Sequence, residues 1–273
     1  MNDASLADNP FAARYARDFA ASPRNAVIDT LLAHRSWRAF KPDPLPAGTL
    51  ETLIAAGQSA ATSSNMQTWS VVAVEDPARR AELLKLGENQ KQILEAPLVL
   101  CFVADLSRLA AIADRINHKR AGLDYLELFM VAAIDSALAA QNVCVAAESL
   151  ALGTCYLGVL RNHPEEVAAF LKLPPMAAVT FGLAIGFPDP KRPANIKPRL
   201  AQGSVLHRET YDAAQALAPV ADYEVALDAF NKRERNGQPL WGLRSSARVA
   251  GPESLSGRDR LKFALRQLGF PLL

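Results

Sequence analysis

An apolar segment from Asp124 to Ala151 is the feature that most limits how this chain can fold. It is long enough to cross a bilayer as a helix, yet four carboxylates interrupt it, at Asp124, Glu127, Asp135 and Glu148. Because ionised acids are costly in hydrocarbon, the segment predicts a long helix buried in a soluble core rather than a membrane span. Gly153 is the predicted C-cap of this helix.

Four shorter apolar runs are typical of strands, and they are Trp69 to Glu75, LVLCFVAD (98–105), TCYLGVL (154–160) and AVTFGLAIGF (178–187). Helical patterns separate them, so strands and helices are mixed around one central helix. This predicts an α+β fold, in a single domain over residues 23–273.

Both ends of the chain differ in character from its middle. Residues 1–22 are predicted to be an extension, in which Phe11, Tyr15 and Phe19 share one face of an amphipathic helix. A proline-rich arm begins at about residue 188. Beyond it we expect two helices, around 220–232 and 257–268, joined by a loop rich in glycine, proline and serine.

Composition excludes several classes of function. The 273 residues are 50% apolar and 21% charged, with a net charge of +2. No basic stripe dominates the sequence, so nucleic acid is not expected to be the main partner. Cys101, Cys144 and Cys155 lie in apolar runs without metal or redox spacing, which predicts buried thiols in a reducing cytoplasm. The N-terminal region lacks the apolar core of a signal peptide, and no membrane partner is expected. Glycine-rich nucleotide loops, the nucleophile elbow and zinc-protease motifs do not occur.

Two basic clusters predict an anion site. The first follows a predicted helix end and contains His34, Arg35, Ser36 and Arg38; the second contains Lys197 and Arg199, with the backbone between them restricted by Pro198. Guanidinium and hydroxyl donors are the groups that suit a phosphate. The alternatives are a solvated helix C-terminus and an exposed basic turn. If both clusters bind, they could converge on one dianion.

Three further clusters are rich in polar side chains or glycine. One is a loop with Ser63, Ser64, Asn65 and Gln67, one is GENQK, which contains Gln90, and one is the strand end formed by Tyr156, Leu157, Gly158 and Val159. Gly158 would allow a ring to approach the backbone closely. The alternatives are capped turns for the first two and a bulged strand for the third.

The five clusters, in this order, resemble the nitroreductase superfamily, and within it the oxygen-insensitive NADPH nitroreductases and NADPH–FMN oxidoreductases. The resemblance covers about residues 25 to 212, in HRSWRAF, AATSSNMQTWSVVAV, NQKQILEAPLVLCFVAD, AAQNVCVAAESLALGTCYLGVLRN, LKLPPMAAVTFGLAIGFP and KPRL. It implies a nitroreductase-like fold, with an antiparallel-rich sheet packed by helices around a long buried helix. It also implies an intertwined homodimer that binds FMN at the subunit interface.

The resemblance also implies roles for individual residues. Those expected to contact the phosphate, ribityl chain and ring edge are His34, Arg35, Ser36 and Arg38, with Lys197 and Arg199 completing the phosphate site. Those expected from the partner subunit are Ser63, Ser64, Asn65 and Gln67. Gln90 would meet the pyrimidine end of the ring. The segment from Tyr156 would hold the ring's central nitrogen through the backbone of Leu157, Gly158 and Val159.

Two positions depart from the family pattern. Val159 stands where a second glycine is common, and Trp37 stands where smaller residues are usual. Val159 is expected to narrow the space near the flavin, and both substitutions are expected to affect the substrate range more than the cofactor.

The implied activity is that of a flavoprotein oxidoreductase, which takes hydride from NADPH by a ping-pong mechanism and reduces nitroaromatics, quinones or free flavins. Preference for NADPH requires a cation for the extra phosphate, and the candidates are Arg233, Arg235 and Arg258. Arg38 and Ser64 are also expected near the nicotinamide or substrate. The alternatives are a flavin-binding store or sensor without nicotinamide-driven catalysis, and a structural module without a cofactor.

Overall fold

The computed structural model describes residues 10–15, 23–234 and 236–273. The chain divides into two compact units. The first unit consists of Met1–Arg35 and Asn195–Leu255, and the second consists of Ser36–Ala194 and Ser256–Leu273. The second unit contains every strand of the described residues.

The helices and strands confirm the predicted α+β class. In chain order they are α1 (Pro10–Tyr15), α2 (Ala26–Ala33), α3 (Thr49–Gln58), β1 (Trp69–Val74), α4 (Pro77–Leu86), α5 (Gln92–Glu95), β2 (Leu98–Asp105), α6 (Ser107–Arg115), α7 (Leu126–Ser149), β3 (Gly153–Leu157), α8 (Pro164–Leu171), β4 (Ala177–Gly186), α9 (Ala213–Leu217), α10 (Val220–Arg233), α11 (Trp241–Arg248) and α12 (Leu261–Gln267).

The sheet of the second unit is antiparallel throughout, with the strand order β1-β2-β4-β3. All eight residues of β2 are buried, which explains why this strand is continuously apolar rather than alternating. The register between β2 and β4 shifts between Phe102 and Val103, where Thr180 is left without a partner in the ladder. The Thr180 hydroxyl donates to the Phe102 carbonyl instead, at 3.1 Å.

The 24-residue helix α7 packs one face on this sheet. Ala139, Ala140 and Val143 are fully buried there against Phe102 and its neighbours. By length and composition the helix could also cross a membrane, a property that the core helix of a globular protein shares. Its other face is apolar and exposed, at Leu126, Met130, Ile134 and Leu138.

Three local predictions are wrong. Gly153 is not the C-cap of α7; Leu150 is the cap, Ala151 adopts a positive φ of 60°, and Gly153 is already in β3. The third strand was predicted to extend to residue 160, but it ends at Leu157, and a 3-10 turn follows over Gly158–Arg161. The segment expected to be a loop between the two C-terminal helices contains a further helix, α11. The Glu224 carboxylate accepts the Gly242 N–H at 2.6 Å and stabilises the first turn of α11.

Gly153 has a packing role, which predicts a stability effect. A Cβ at this position would lie 2.8 Å from Cγ of Trp37. We therefore expect Gly153→Ala to lower the free energy of unfolding by about 1–3 kcal/mol, measured by urea denaturation.

Two comparisons separate the overlap between the added Cβ and the Trp37 ring from a general effect of replacing a glycine. In a Trp37→Leu background the cost of Gly153→Ala should fall below about 1 kcal/mol, since the overlapping ring is gone. Gly122→Ala should be nearly neutral, because no atom lies within 4 Å of its added Cβ. An equal cost for Gly153→Ala with and without Trp37 would contradict the packing role.

Candidate functional site

In the first unit, the side chain of Arg14 joins the two predicted basic clusters. Arg14 lies on α1 and is only 6% exposed. Its Nη2 donates to the carbonyls of Leu32 at 2.9 Å and His34 at 2.6 Å, while its Nη1 donates to the carbonyl of Lys197 at 3.0 Å. The main-chain N–H of Arg199 donates to the carbonyl of Arg14 at 2.9 Å. Segments far apart in sequence therefore meet around one guanidinium.

The charged groups of these segments remain accessible to different degrees. His34 is the C-cap of α2, as predicted, and it and Arg35 are half-buried. Lys197 is also half-buried, whereas Arg199 is exposed and its Nη1 donates to the Lys197 carbonyl at 3.2 Å. Burial raises the pKa of Tyr223, and the charges of Arg199 and Arg244 partly offset that rise.

In the second unit, the segment after Arg35 runs beside β3. Ser36 forms a parallel bridge with Thr154, and the N–H of Trp37 donates to the Thr154 carbonyl at 2.8 Å. The Trp37 ring packs on Gly153, and its effect on the substrate range stays a prediction. Arg38 is exposed beside Cys155; burial raises the pKa of that thiol, and the Arg38 charge opposes the rise.

At the end of β3, the side chains of Leu157 and Val159 are buried in the core. The effect of Val159 on the space near the flavin stays a prediction. Gly158 is half-buried and Tyr156 is exposed, so the surface here is formed by main chain and one aromatic ring. A planar ligand could approach this main chain closely.

Arg161 lies next to Gly158 and was not predicted as a site residue. Its Nη2 is 3.4 Å from the position that a Gly158 Cβ would occupy, and its Nη1 donates to the carbonyl of Thr180. Burial lowers the pKa of this guanidinium. Arg161 thus places a partly desolvated positive charge beside the exposed main chain.

Asn162 links the turn after β3 to the segment that contains Gln90. It is nearly buried, its Nδ2 donates to Oε1 of Glu88, and its Oδ1 accepts from Nε of Arg258 at 2.7 Å. The Oε1 of Gln90 accepts from Nε2 of Gln92 at 2.8 Å. Two of the predicted clusters are therefore joined by one buried amide.

The polar loop before β1 is held by Asp135, which lies on α7 and is 1% exposed. Its carboxylate accepts the Ser63 N–H at 3.1 Å, the Thr68 N–H at 3.2 Å and the Thr68 hydroxyl at 2.9 Å. Three predicted site residues in this loop adopt positive φ, namely Ser64, Asn65 and Gln67. Such conformations persist only where the surroundings enforce them, and they are common at ligand sites. The loop presents exposed polar side chains on a backbone that is hydrogen-bonded to Asp135.

The three candidates for the extra phosphate of NADPH have different surroundings. Arg233 is on the last turn of α10, with its guanidinium over the Phe230 ring and 3.8 Å from Glu234. Arg258 belongs to the second unit and is bonded to Asn162. Arg235 lies outside the described residues. The assignment of these arginines stays a prediction.

Comparison with known proteins identifies the relatives of this chain. A model of the "Nitroreductase family" matches residues 31–187, and one of the "Nitroreductase family, C-terminal domain" matches residues 197–273. The chain is 41% identical over 192 residues to "FMN reductase (NADPH)" of Bacillus subtilis (strain 168), covering 69% of this chain and 75% of the relative. It is 35% identical over 229 residues to "NADPH-flavin oxidoreductase" of Vibrio harveyi, covering 83% and 92%. The solved structure of B. megaterium NfrA1 superposes with a TM-score of 0.84 at 36% identity, over 90% of this chain and 100% of that one.

Proposed function

This chain belongs to the nitroreductase family and is an FMN-dependent NAD(P)H oxidoreductase, and we propose that it takes NADPH and a small acceptor in turn. The proposed acceptors are nitroaromatics, quinones and free flavins. When bound, FMN supplies a ring that accepts hydride from a nicotinamide and passes it on. The observation that carries the assignment of the site is the meeting of two cationic segments around Arg14.

The donors that the chain presents fit FMN. In the first unit, His34, Arg35, Lys197 and Arg199 would hold the phosphate, since dianions are bound best by several charged donors. In the second unit, the exposed main chain at Gly158 would face the ring, because both neighbouring side chains are turned inward. Gln90 would bond to the pyrimidine end, and Arg38 and Arg161 would stabilise negative charge on the ring.

We also propose that the protein is a homodimer with its sites at the subunit interface. The exposed stripe on α7 supports this, because a contiguous apolar strip is unusual on a monomer. In the dimer, the partner subunit would supply the polar loop, whose residues Ser63, Ser64, Asn65 and Gln67 are exposed in one chain.

The cysteines support a cytoplasmic location and no chemical role. Cys101, Cys144 and Cys155 are free and buried. Burial raises the pKa of Cys101 and of Cys144 to about 12. The thiolate form needed for nucleophilic or redox chemistry is therefore scarce at neutral pH.

The test is the visible absorbance of the purified protein before and after NADPH is added without oxygen. We expect a flavin spectrum that bleaches. Bleaching should be faster with NADPH than with NADH if an arginine binds the extra phosphate of NADPH. A bound flavin that stays oxidised would favour a store or sensor. Protein that takes up no FMN would contradict the site. Equal efficiency of NADH and NADPH would remove the roles proposed for Arg233, Arg235 and Arg258.

A further inference from the structure

Arg14 belongs to the N-terminal extension, before the region that matches the family model, which begins at residue 31. The short helix α1 that carries it is nonetheless packed. Ala12 is buried, and the guanidinium of Arg24 lies over the Phe11 ring at 5.4 Å from its centroid. The N–H of Arg199 also donates to the main chain of α1. Helix α1 is thus attached to the segments that the proposed function assigns to the FMN phosphate.

We infer that Arg14 is a positioning residue for the FMN phosphate, contributed by the extension. Its guanidinium fixes the segment that ends at His34 against the segment that begins at Lys197. Arg14 donates to carbonyls, so it acts through the residues that would touch the phosphate. This inference rests on the proposed function, because it takes the ligand of those segments to be FMN.

Hydrogen bonds from Arg14 hold together two segments that carry like charges. Each segment carries cations, so the two repel each other when no anion lies between them. Three main-chain carbonyls directed at one guanidinium bring the segments together before the ligand arrives. A site organised in advance loses less free energy on binding.

The geometry of the side chain matters as much as its charge. A guanidinium is planar and presents five N–H donors in a fixed fork, so it can bond to three carbonyls from different directions at once. A lysine ammonium is a compact, strongly hydrated charge without that fork. Arg14→Lys should therefore keep the charge and lose much of the positioning.

The experiment compares two ligands that differ only in the phosphate. Full-length apoprotein is titrated with FMN and with riboflavin, which has the same ring and ribityl chain but no phosphate. For Arg14→Met we expect the FMN dissociation constant to rise by about 10- to 100-fold, with riboflavin binding changed less than about twofold. Arg14→Lys should show the same selectivity with a smaller rise.

Two further variants serve as references. Arg35→Met removes a residue assigned to the phosphate and should reproduce the selective loss of FMN binding. Lys232→Met also removes one positive charge from the first unit, but its side chain is 75% exposed, so FMN affinity should stay at the wild-type value. Circular dichroism of each variant establishes that the fold is retained, and Arg14→Lys carries the test if Arg14→Met does not fold.

The possible results distinguish a failure of the inference about Arg14 from a failure of the proposed function. Equal FMN affinity in wild type and in both Arg14 variants overturns the inference and leaves the proposed function standing. Equal weakening of FMN and riboflavin also overturns it, since Arg14 would then have only a general structural role. Wild-type protein that binds neither ligand overturns the proposed function and the inference together.

Discussion

Asp135→Asn is expected to lower the free energy of unfolding by about 2–4 kcal/mol and to weaken FMN binding at the same time. The buried carboxylate accepts three hydrogen bonds from the polar loop. An asparagine of the same shape keeps one oxygen, but its amide group would point donors at the donors of Ser63 or Thr68. The measurements are urea denaturation and the FMN dissociation constant. The melting temperature should fall by a few degrees per kcal/mol.

The loss of FMN binding follows from the strained backbone of the loop. Ser64, Asn65 and Gln67 all have positive φ, and without the Asp135 carboxylate their backbone can relax to commoner conformations. Their side chains would then no longer be directed as one set. Asp135→Asn should therefore weaken FMN binding, because this loop supplies the side chains that are proposed to come from the partner subunit.

Asp114→Asn is the matched control, since it makes the same chemical change at an exposed side chain. Asp114 is 60% exposed and forms an ion pair with the half-exposed Arg120, so its loss should change the free energy of unfolding by less than about 1 kcal/mol. If Asp135→Asn changed the free energy of unfolding by no more than Asp114→Asn does, the role of Asp135 in holding the loop would be contradicted.

The sheet and the long helix could be predicted from the sequence because burial leaves a strong local signal. β2 is apolar at almost every position since both of its faces are covered, and its ends coincide with those of the predicted strand. The α7 segment is apolar along most of its length, on the exposed face as well as on the buried one. That is also why the sequence predicted a buried helix and not its exposed stripe.

The residues that organise the site could not be predicted, because their partners are distant in sequence. Arg14 and Lys197 are 183 positions apart, and no periodicity relates them. Asp135 was visible only as an interruption in an apolar helix, although a single acid on the buried face of such a helix requires hydrogen-bond donors. The burial of Val159 could not be predicted either, because the sequence does not show which way a side chain at the end of a strand points.

Replacing Ile134 and Leu138 with lysine is expected to give a monomer that binds FMN poorly. In one chain these side chains are 53% and 44% exposed, so lysine can reach solvent and the fold of the subunit should be retained. In the proposed dimer the same positions are buried, and two lysines would face an apolar partner surface without counter-charges. Loss of apolar burial and the cost of the charges together should raise the dimer dissociation constant by more than about 1000-fold.

The oligomeric state is measured by light scattering after size-exclusion chromatography, and FMN affinity is measured on the same samples. Ile116→Lys is the control, because Ile116 is 63% exposed but lies outside α7 and should leave the dimer intact. If the double variant is monomeric and still binds FMN with wild-type affinity, the polar loop of a partner subunit is not part of the site. If it remains dimeric at micromolar concentration, the interface lies elsewhere. A monomer that regains FMN affinity as its concentration rises would establish that each site takes residues from both chains.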